Sequence, residues 1–125
     1  MARKRRGLVA DQLEAILDEV EKEVKKKSDD IYEQAARESE IILKEKSPKR
    51  PGGGEYARSW AVKPWQEGKI KGYIVYNREH YMLTHLLEKG HAKVNGGRVR
   101  PIPHIRPVEE VEVRRVIQKI EGMQL

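Results

Sequence analysis

Residues 11–46, DQLEAILDEVEKEVKKKSDDIYEQAARESEIILKEK, decide the fold. Along this stretch, apolar and small residues recur at steps of three and four, close to the roughly 3.6 residues of a helical turn. Most other positions are Glu, Lys, Asp or Arg. The pattern predicts one long amphipathic helix, whose stripe consists of Leu13, Leu17, Val20, Val24, Ser28, Ile31, Ala35, Ser39 and Ile42.

Local signals predict where this helix begins, weakens and ends. Asp11 suits the N-cap position, and Glu14 follows three residues later as in a capping box. Residues 28–30, Ser-Asp-Asp, are poor helix formers that could divide the run in two, but we favour one helix with a weak middle. Ser47 precedes Pro48, and the residue before a proline avoids the α region, so the helix is expected to end there.

A β-hairpin is predicted after an exposed loop at residues 48–54, PKRPGGG. Residues 56–76 contain two strand-like runs, YARSWAVKPW and KIKGYIVY, joined by a short Gln-Glu-Gly link that suits an antiparallel hairpin. Trp60 is expected in the core, because the chain has only two Trp and no Phe. Since an isolated hairpin is marginal in water, the long helix is expected to cover its apolar face.

The stretch at residues 81–107, YMLTHLLEKGHAKVNGGRVRPIPHIRP, predicts a helix, a loop and the start of another helix. A short apolar helix is expected at residues 81–89, and Gly90 suits the left-handed position after its end. The basic loop at residues 91–106 has an Asn-Gly-Gly tip and is either a small ribbon or mobile. The last helix is expected over residues 107–122, with a proline in its first turn.

These elements predict an α+β fold, in which a small antiparallel sheet of three to four strands is packed by the long N-terminal helix and the C-terminal helix. A chain of 125 residues has the length of one domain, expected at residues 11–125, after a basic, flexible arm at residues 1–10. Without cysteine, neither a disulfide nor a thiolate metal site is available. No apolar run approaches the roughly 20 residues of a membrane span, so no membrane partner is expected.

No sequence pattern is typical of catalysis or of a cofactor site. There is no Ser-His-Asp arrangement, and the Gly-Gly-Gly run is not followed by the Gly-Lys-Ser/Thr of a phosphate loop. We therefore expect no catalytic residue, no metal and no cofactor, and a metal-dependent nuclease is a distant third hypothesis. The four histidines lack the spacing of paired zinc ligands; they are His80, His85, His91 and His104.

The charge balance leaves a second hypothesis open, a small basic nucleic-acid-binding protein. With 26 Lys and Arg against 20 Asp and Glu, the net charge is +6, and excess positive charge suggests a polyanionic neighbour. Because Trp60 is also needed for the core, this hypothesis is the alternative rather than the first choice. Basic and aromatic residues interleave along the hairpin as in a platform for single strands, at Arg58, Trp60, Lys63, Trp65, Lys69, Lys71 and Tyr73.

Residues 80–110, HYMLTHLLEKGHAKVNGGRVRPIPHIRPVEE, resemble the minor tail-component family of long-tailed phages and prophages, also described as head–tail joining or tail-completion proteins. The resemblance rests on the LTHLLEKGHAK run, the glycine-rich basic loop and the PIPHIRPVEE lead into the final helix. It extends more loosely upstream, to the YARSWAV and YIVYN strands and the long helix.

The resemblance implies a structural virion protein of the neck, which joins head to tail or completes the tail within a ring oligomer, a hexamer. The implied partners are further copies of itself, the head-closure or connector ring, the tail-terminator or tail-tube proteins, and DNA in the lumen through nonspecific contact. The implied location is the neck or tail of the virion, and the host cytoplasm during assembly.

We expect the contacts of such a protein around the long loop. Glu88 and the arginines would form ion pairs between subunits or rings, and Gly90 would set the direction in which the chain leaves the short helix. The expected interface residues are His85, Glu88, Gly90, His91, Lys93, Arg98, Arg100, His104 and Arg106.

Overall fold

The computed structural model describes residues 7–49, 53–93 and 95–124 and has the predicted α+β architecture. A long first helix packs against both the last helix and a two-stranded hairpin, and a short helix and a small ribbon connect these parts. In chain order the elements are α1 (Leu8–Lys46), α2 (Glu55–Arg58), β1 (Trp60–Glu67), β2 (Ile70–Asn77), α3 (Tyr81–Lys89), β3 (His91–Ala92), β4 (Arg98–Val99) and α4 (Ile105–Glu121).

α1 is one continuous helix of 39 residues, about 58 Å long at 1.5 Å per residue. It begins at Leu8 with Gly7 at the N-cap, so the prediction that Asp11 caps the helix is wrong. Asp11 lies in the first turn, where its negative charge complements the helix dipole. Residues 8–10 are therefore helical and not part of a flexible arm, and residues 1–6 of that predicted arm lie outside the described residues.

The end and the middle of α1 follow the prediction. The helix stops at Lys46, and the backbone N–H of Ser47 donates to the carbonyl of Leu43 at 3.0 Å. The weak middle stays helical, because the hairpin packs against it. The hydroxyl of Tyr73 lies 3.2 Å from a carboxylate oxygen of Asp29 and 3.5 Å from one of Glu33.

β1 and β2 form the predicted antiparallel hairpin, in which Trp60 lies opposite Asn77. The strand begins at Trp60 and not at Tyr56, because α2 comes first. Gly54, with a φ of 115°, turns the chain into this helical turn, and the Asn77 side chain donates to the carbonyl of Tyr56 at 2.8 Å. The Ser59 hydroxyl closes the turn by donating to a carbonyl one turn back, at 2.6 Å.

The predicted sheet of three to four strands is instead two separate ribbons of two strands each. β1 pairs with β2, and β3 pairs with β4, in the part of the chain that the structure describes. α3 lies between the two ribbons in sequence, and the two-residue strands β3 and β4 are too short to extend the hairpin.

Four side chains from four elements form the core: Leu43, Tyr56, Trp60 and Val108. Trp60 is 4% exposed, which confirms that it serves the core. Its indole N–H donates to the hydroxyl of Ser47 at 2.8 Å, so the polar end of the ring is satisfied inside the protein.

α3 contributes less to this core than its sequence predicts. Leu83 and Leu87 pack against the core, but Leu86 is 42% exposed. α3 covers only one side of the core, so the third leucine lies on the outward face.

α4 runs antiparallel to α1 and begins two residues earlier than predicted, at Ile105. Pro107 lies in its first turn, as expected. The antiparallel direction follows from the contacts: Val108 packs with Leu43, whereas Arg115 lies 3.6 Å from Glu38, nearer the start of α1. Among the described residues, no helix combines the length and hydrophobicity that a membrane span requires.

Glu112 occupies a buried position on α4 that its apolar pattern does not predict. The residue is 5% exposed; one carboxylate oxygen lies 3.1 Å from the guanidinium of Arg115, and the other has no hydrogen-bond partner among the described residues. Burial raises the pKa of Glu112, and the neighbouring carboxylate of Glu38 raises it further, against a smaller opposing effect of Arg115 and Lys119. The contact between α1 and α4 therefore favours a protonated Glu112.

Replacing Glu112 by Gln should stabilise the protein at alkaline pH. Because the pKa of Glu112 is higher in the folded chain, its contribution is fully present below the unfolded value of about 4.3 and is lost as pH rises through the folded pKa. Glu112→Gln should raise the free energy of unfolding at pH 8 by about 1 kcal/mol and change it little at pH 4. Urea unfolding at the two pH values measures this difference.

Glu109→Gln is the matched control, since Glu109 is an exposed carboxylate on the same helix. Glu109→Gln should not raise the free energy of unfolding more at pH 8 than at pH 4. A loss of stability for Glu112→Gln at pH 8 would contradict the assignment of Glu112 as a destabilising charge.

Candidate functional site

The β3–β4 ribbon resolves the predicted long loop into an ordered structure. The two strands are antiparallel, with His91 opposite Val99. At the tip, the N–H of Lys93 donates to the carbonyl of Gly97 at 3.0 Å, and the N–H of Gly96 donates to the carbonyl of Lys93 at 3.2 Å. Both glycines have positive φ, 94° and 77°, which explains the Gly-Gly pair.

The ribbon and its flanks carry charge of one sign. Residues 89–108 contain five basic residues and no carboxylate, and all five are exposed. This surface, which we call the basic ribbon, can attract an anionic partner. Its charged residues are Lys89, Lys93, Arg98, Arg100 and Arg106.

Gly90 sets the direction in which the chain leaves α3. Its φ is 72°, as expected for a glycine that ends a helix, but its ψ of 178° is extended and not left-handed helical. The chain therefore enters β3 directly. A side chain at this position would be strained, because a φ of 72° with extended ψ is open essentially to glycine alone.

Glu88 anchors the other end of the loop. Its carboxylate accepts the backbone N–H groups of His104, Ile105 and Arg106, at 2.9, 3.0 and 3.0 Å. These N–H groups form the start of α4, where no side chain of α4 itself provides a cap. A residue of α3 thus caps α4 across the whole length of the ribbon, and it holds both ends of the ribbon together.

The cap lowers the pKa of Glu88. Burial alone would raise it, but the three backbone donors and the nearby imidazole of His104 outweigh burial. Glu88 is therefore ionised at neutral pH, and its charge faces the positive end of the α4 dipole.

His104 links the Glu88 cap to the core. Its ring Nδ1 lies 2.8 Å from the carbonyl of Ile102 and 3.2 Å from Glu88, both of which can only accept, so we assign the N–H to Nδ1. Nε2 then accepts from the hydroxyl of Tyr56 at 2.7 Å. Burial, aided by the negative charge of Glu88, raises the pKa of Tyr56 to about 12, which keeps that donor protonated.

A further backbone bond fixes the segment that leaves the ribbon. The N–H of Ile102 donates to the carbonyl of Leu87 at 2.6 Å, and this carbonyl is in the last turn of α3. The bond satisfies a carbonyl that the helix end would otherwise leave free. Residues 102–106 are thus tied to α3 at four backbone N–H groups.

The structure divides the predicted interface residues into two groups. Glu88 and His104 turn inward and contact their own chain, and whether they also contact another subunit stays a prediction. The others reach the surface or its edge. Arg106 pairs with Glu110 one turn along α4, at 3.0 Å, and His85 is exposed on α3. His91 is half-buried, and its Nδ1 has no hydrogen-bond partner among the described residues.

The aromatic and basic residues of the hairpin do not share one face. Trp60 is in the core and Tyr73 faces α1, whereas Trp65 is 40% exposed on the opposite side of the hairpin. Lys63 lies over the ring of Tyr76 at 4.9 Å on that outer side. The predicted stacking platform is therefore split, and only its outer part is accessible.

The sequence does not predict two residues whose hydrogen bonds hold His104 and Trp60 in place. The strand-like pattern of the sequence includes Tyr56, although Tyr56 forms the buried link between α2 and His104. The sequence marks Ser47 only as the end of a helix, although its hydroxyl accepts the indole N–H of Trp60. No local pattern marks such contacts, because the partners lie far apart in sequence. In the described part of the chain, no three His, Asp or Glu side chains are grouped as metal ligands.

The Glu88 cap and the bond from Ile102 to Leu87 hold the basic ribbon in one position. The family model described as "Bacteriophage HK97-gp10, putative tail-component" matches residues 11–90, and the chain belongs to this family. It is therefore a structural tail protein of a bacteriophage particle, which is not a class of enzyme. The match confirms the family resemblance, but it spans α1 to α3 and does not include the ribbon or α4. Comparison with curated proteins and with solved structures found no match.

Replacing Glu88 by Ala should destabilise the protein by about 2 kcal/mol at pH 7, because three N–H groups lose a charged acceptor. Since the folded pKa of Glu88 is lowered, its contribution is present above the unfolded value of about 4.3 and is lost as pH falls through the folded pKa. The difference from wild type should therefore shrink in acid, as measured by urea unfolding between pH 7 and pH 3.

Glu79→Ala provides the control, because Glu79 is an exposed carboxylate that pairs with its sequence neighbour Arg78, at 3.7 Å. Its effect should stay below about 0.5 kcal/mol at every pH. If Glu88→Ala lowered the free energy of unfolding at pH 7 as little as this control does, the Glu88 cap would not stabilise the start of α4.

Proposed function

We propose that this tail component is a structural protein of the phage neck, where it joins the head to the tail or completes the tail as part of a ring oligomer, a hexamer. The observation that carries the proposal is the basic ribbon, which the Glu88 cap holds in one position. A contact loop that is already ordered loses less entropy on binding, so it suits a protein that grips a neighbour.

The proposed partners are further copies of the chain, the head-closure or connector ring, and the tail-terminator or tail-tube proteins. Exposed arginines and lysines without an intervening carboxylate fit an acidic protein surface, and Arg is well suited to two-point contacts with carboxylates. The same charges can contact DNA in the lumen without reading its sequence. During assembly the chain would be in the host cytoplasm, and afterwards in the neck of the virion.

A nucleic-acid-binding protein remains the rival function, although the buried Trp60 weakens it. It predicts salt-sensitive binding of DNA or RNA by a monomer or dimer, carried by the hairpin lysines. The neck proposal instead predicts an assembly whose mass does not depend on DNA.

Charge reversal in the basic ribbon should interrupt the joining of heads to tails. In the strain that produces the particles, Arg98→Glu with Arg100→Glu should leave most heads and tails separate in electron micrographs. Unpairing a buried interfacial charge costs about 2–5 kcal/mol, which corresponds to more than a tenfold loss of affinity. An antibody against the wild-type chain should label the junction of head and tail.

Lys63→Glu with Lys69→Glu is the matched control, because it makes the same change in charge on the hairpin. Joined particles should persist with this control. Light scattering of the purified wild-type chain, at low and high salt, with and without a short duplex, tests the rival. A monomer whose mass shifts with DNA, and a control variant that loses that shift, would favour nucleic-acid binding over the neck.

A further inference from the structure

Two carboxyl groups lie together where α4 packs on α1. The Nη1 nitrogen of Arg115 lies 3.1 Å from one oxygen of Glu112 and 3.6 Å from one oxygen of Glu38, so both carboxyl groups lie beside the same guanidinium. We call Glu38 and Glu112 the carboxyl pair. The pair joins the two long helices, because Glu38 is on α1 and Glu112 is on α4.

The two members of the pair differ in exposure and in hydrogen bonding. The side chain of Glu38 is 32% exposed, and its other oxygen accepts a hydrogen bond from the amide of Gln34 at 3.1 Å. Glu112 is 5% exposed, and its second oxygen is buried without a hydrogen-bond partner among the described residues. Because a buried oxygen without a partner is costly, Glu112 is the member that requires a further hydrogen bond.

A single proton supplies this hydrogen bond. Two ionised carboxylates have no donor between them, whereas a protonated carboxyl group can donate to its neighbour. Burial disfavours the charged form of Glu112, and the hydrogen bond and negative charge of Glu38 act in the same direction, so the pKa of Glu112 is raised. We therefore place the proton on Glu112, with the carboxylate of Glu38 as its acceptor.

The surrounding charges do not replace this proton. Of the described cations, Arg115 alone forms an ion pair with Glu112, and one positive charge cannot neutralise two carboxylates. Other charged or titratable groups lie beside the pair on α4 or line the adjoining groove from the neighbouring elements. They are Glu109, Arg115 and Lys119 on α4, Lys71 on β2, Tyr32 on α1 and Tyr81 on α3.

The firm packing of α4 ends at the carboxyl pair. Val108 and Glu112 are the buried residues of this helix, whereas residues 113–121 are all exposed or half-buried. Along α1, residues 8–35 are likewise exposed or half-buried, and a cavity of about 430 Å³ lies between the two helices near the end of α4. We call residues 113–121 the distal half of α4. Its few buried contacts make it the part that opens most readily.

The start of α4 is held independently of the pair. The carboxylate of Glu88 accepts the first N–H groups of the helix, and Val108 packs with Leu43 in the core. A change of charge at Glu112 therefore acts on the distal half of α4 and leaves its start in place.

We propose that the carboxyl pair is a pH-sensitive switch, which holds the distal half of α4 on α1 when it shares a proton and releases it when that proton is lost. The proton passes to hydroxide, which becomes water, and the pair changes from one negative charge to two beside a single guanidinium. The switch goes beyond the proposed function and does not rest on it.

The direction of the pH dependence follows from the raised pKa of Glu112. Because this pKa is higher when α4 is docked, the contribution of the pair is fully present below the unfolded value of about 4.3 and is lost as pH rises through the folded pKa. Alkaline pH therefore favours the released state.

Amide hydrogen exchange of the purified chain, measured by NMR and divided by the intrinsic rate at each pH, tests the release. The opening equilibrium of the distal half should rise by up to roughly tenfold for each pH unit between about 4.3 and the folded pKa of Glu112. The amides of residues 108–111 should not follow. An opening equilibrium that does not change with pH, or that changes equally at residues 108–111, would overturn the proposal.

Two variants keep a donor within the pair at every pH. Glu112→Gln places an amide beside the carboxylate of Glu38, and Glu38→Gln places one beside Glu112, so each should keep the distal half protected at alkaline pH. Glu109→Gln is the matched control, since Glu109 is an exposed carboxylate on the same helix, and it should open as wild type does. If Glu109→Gln removed the pH dependence, or if Glu112→Gln retained it, the pair would not be the switch.

The carboxyl ¹³C signals report on the shared proton itself. The signal of Glu38 should shift in the same step as that of Glu112, because one hydrogen bond links the two groups. Glu112→Gln should remove this step from the Glu38 signal. A Glu38 signal that does not respond while Glu112 titrates would refute the shared proton.

Discussion

The carboxylate of Glu88 is the interaction on which the rest of the structure depends. By accepting three N–H groups at the start of α4, it joins the end of α3 to the last helix and closes the ribbon between them. Because α4 has no side-chain cap of its own, this distant carboxylate satisfies the helix start. His104 links the cap to Tyr56 and the core, so the ribbon, the direction of α4 and the packing around Trp60 depend on one another.

The direction of α4 in turn determines the shape of the body. Starting beside the core, α4 runs back along α1 and ends near Lys27, while the hairpin packs on a neighbouring face of the same helix. Two consequences follow from this arrangement. α1 is longer than α4, which leaves residues 8–23 exposed, and α4 stays apart from β2, which leaves a groove of about 840 Å³ between them.

Local signals predicted the elements well and the contacts poorly. The apolar period, the stop at Ser47 and the glycine after α3 depend on neighbouring residues, so the helices and the hairpin were predictable. Glu88 as a cap and Glu112 as a buried acid depend on partners far along the chain, and no pattern encodes them. The stripe through Leu13 was predicted, but its exposure at the start of α1 was not, because periodicity reveals an apolar face without showing what covers it.

The net charge of +6 is unevenly distributed: residues 1–7 carry +4, residues 8–23 carry −5, residues 24–52 carry +2 and residues 53–125 carry +5. A uniformly basic chain of this charge would call for a polyanion. Here the acidic start of α1 offsets part of the basic charge, and the basic excess is concentrated in residues 1–7 and in the basic ribbon. The basic ribbon lies outside the groove between β2 and α4, so an anionic partner bound at the ribbon would leave that groove free.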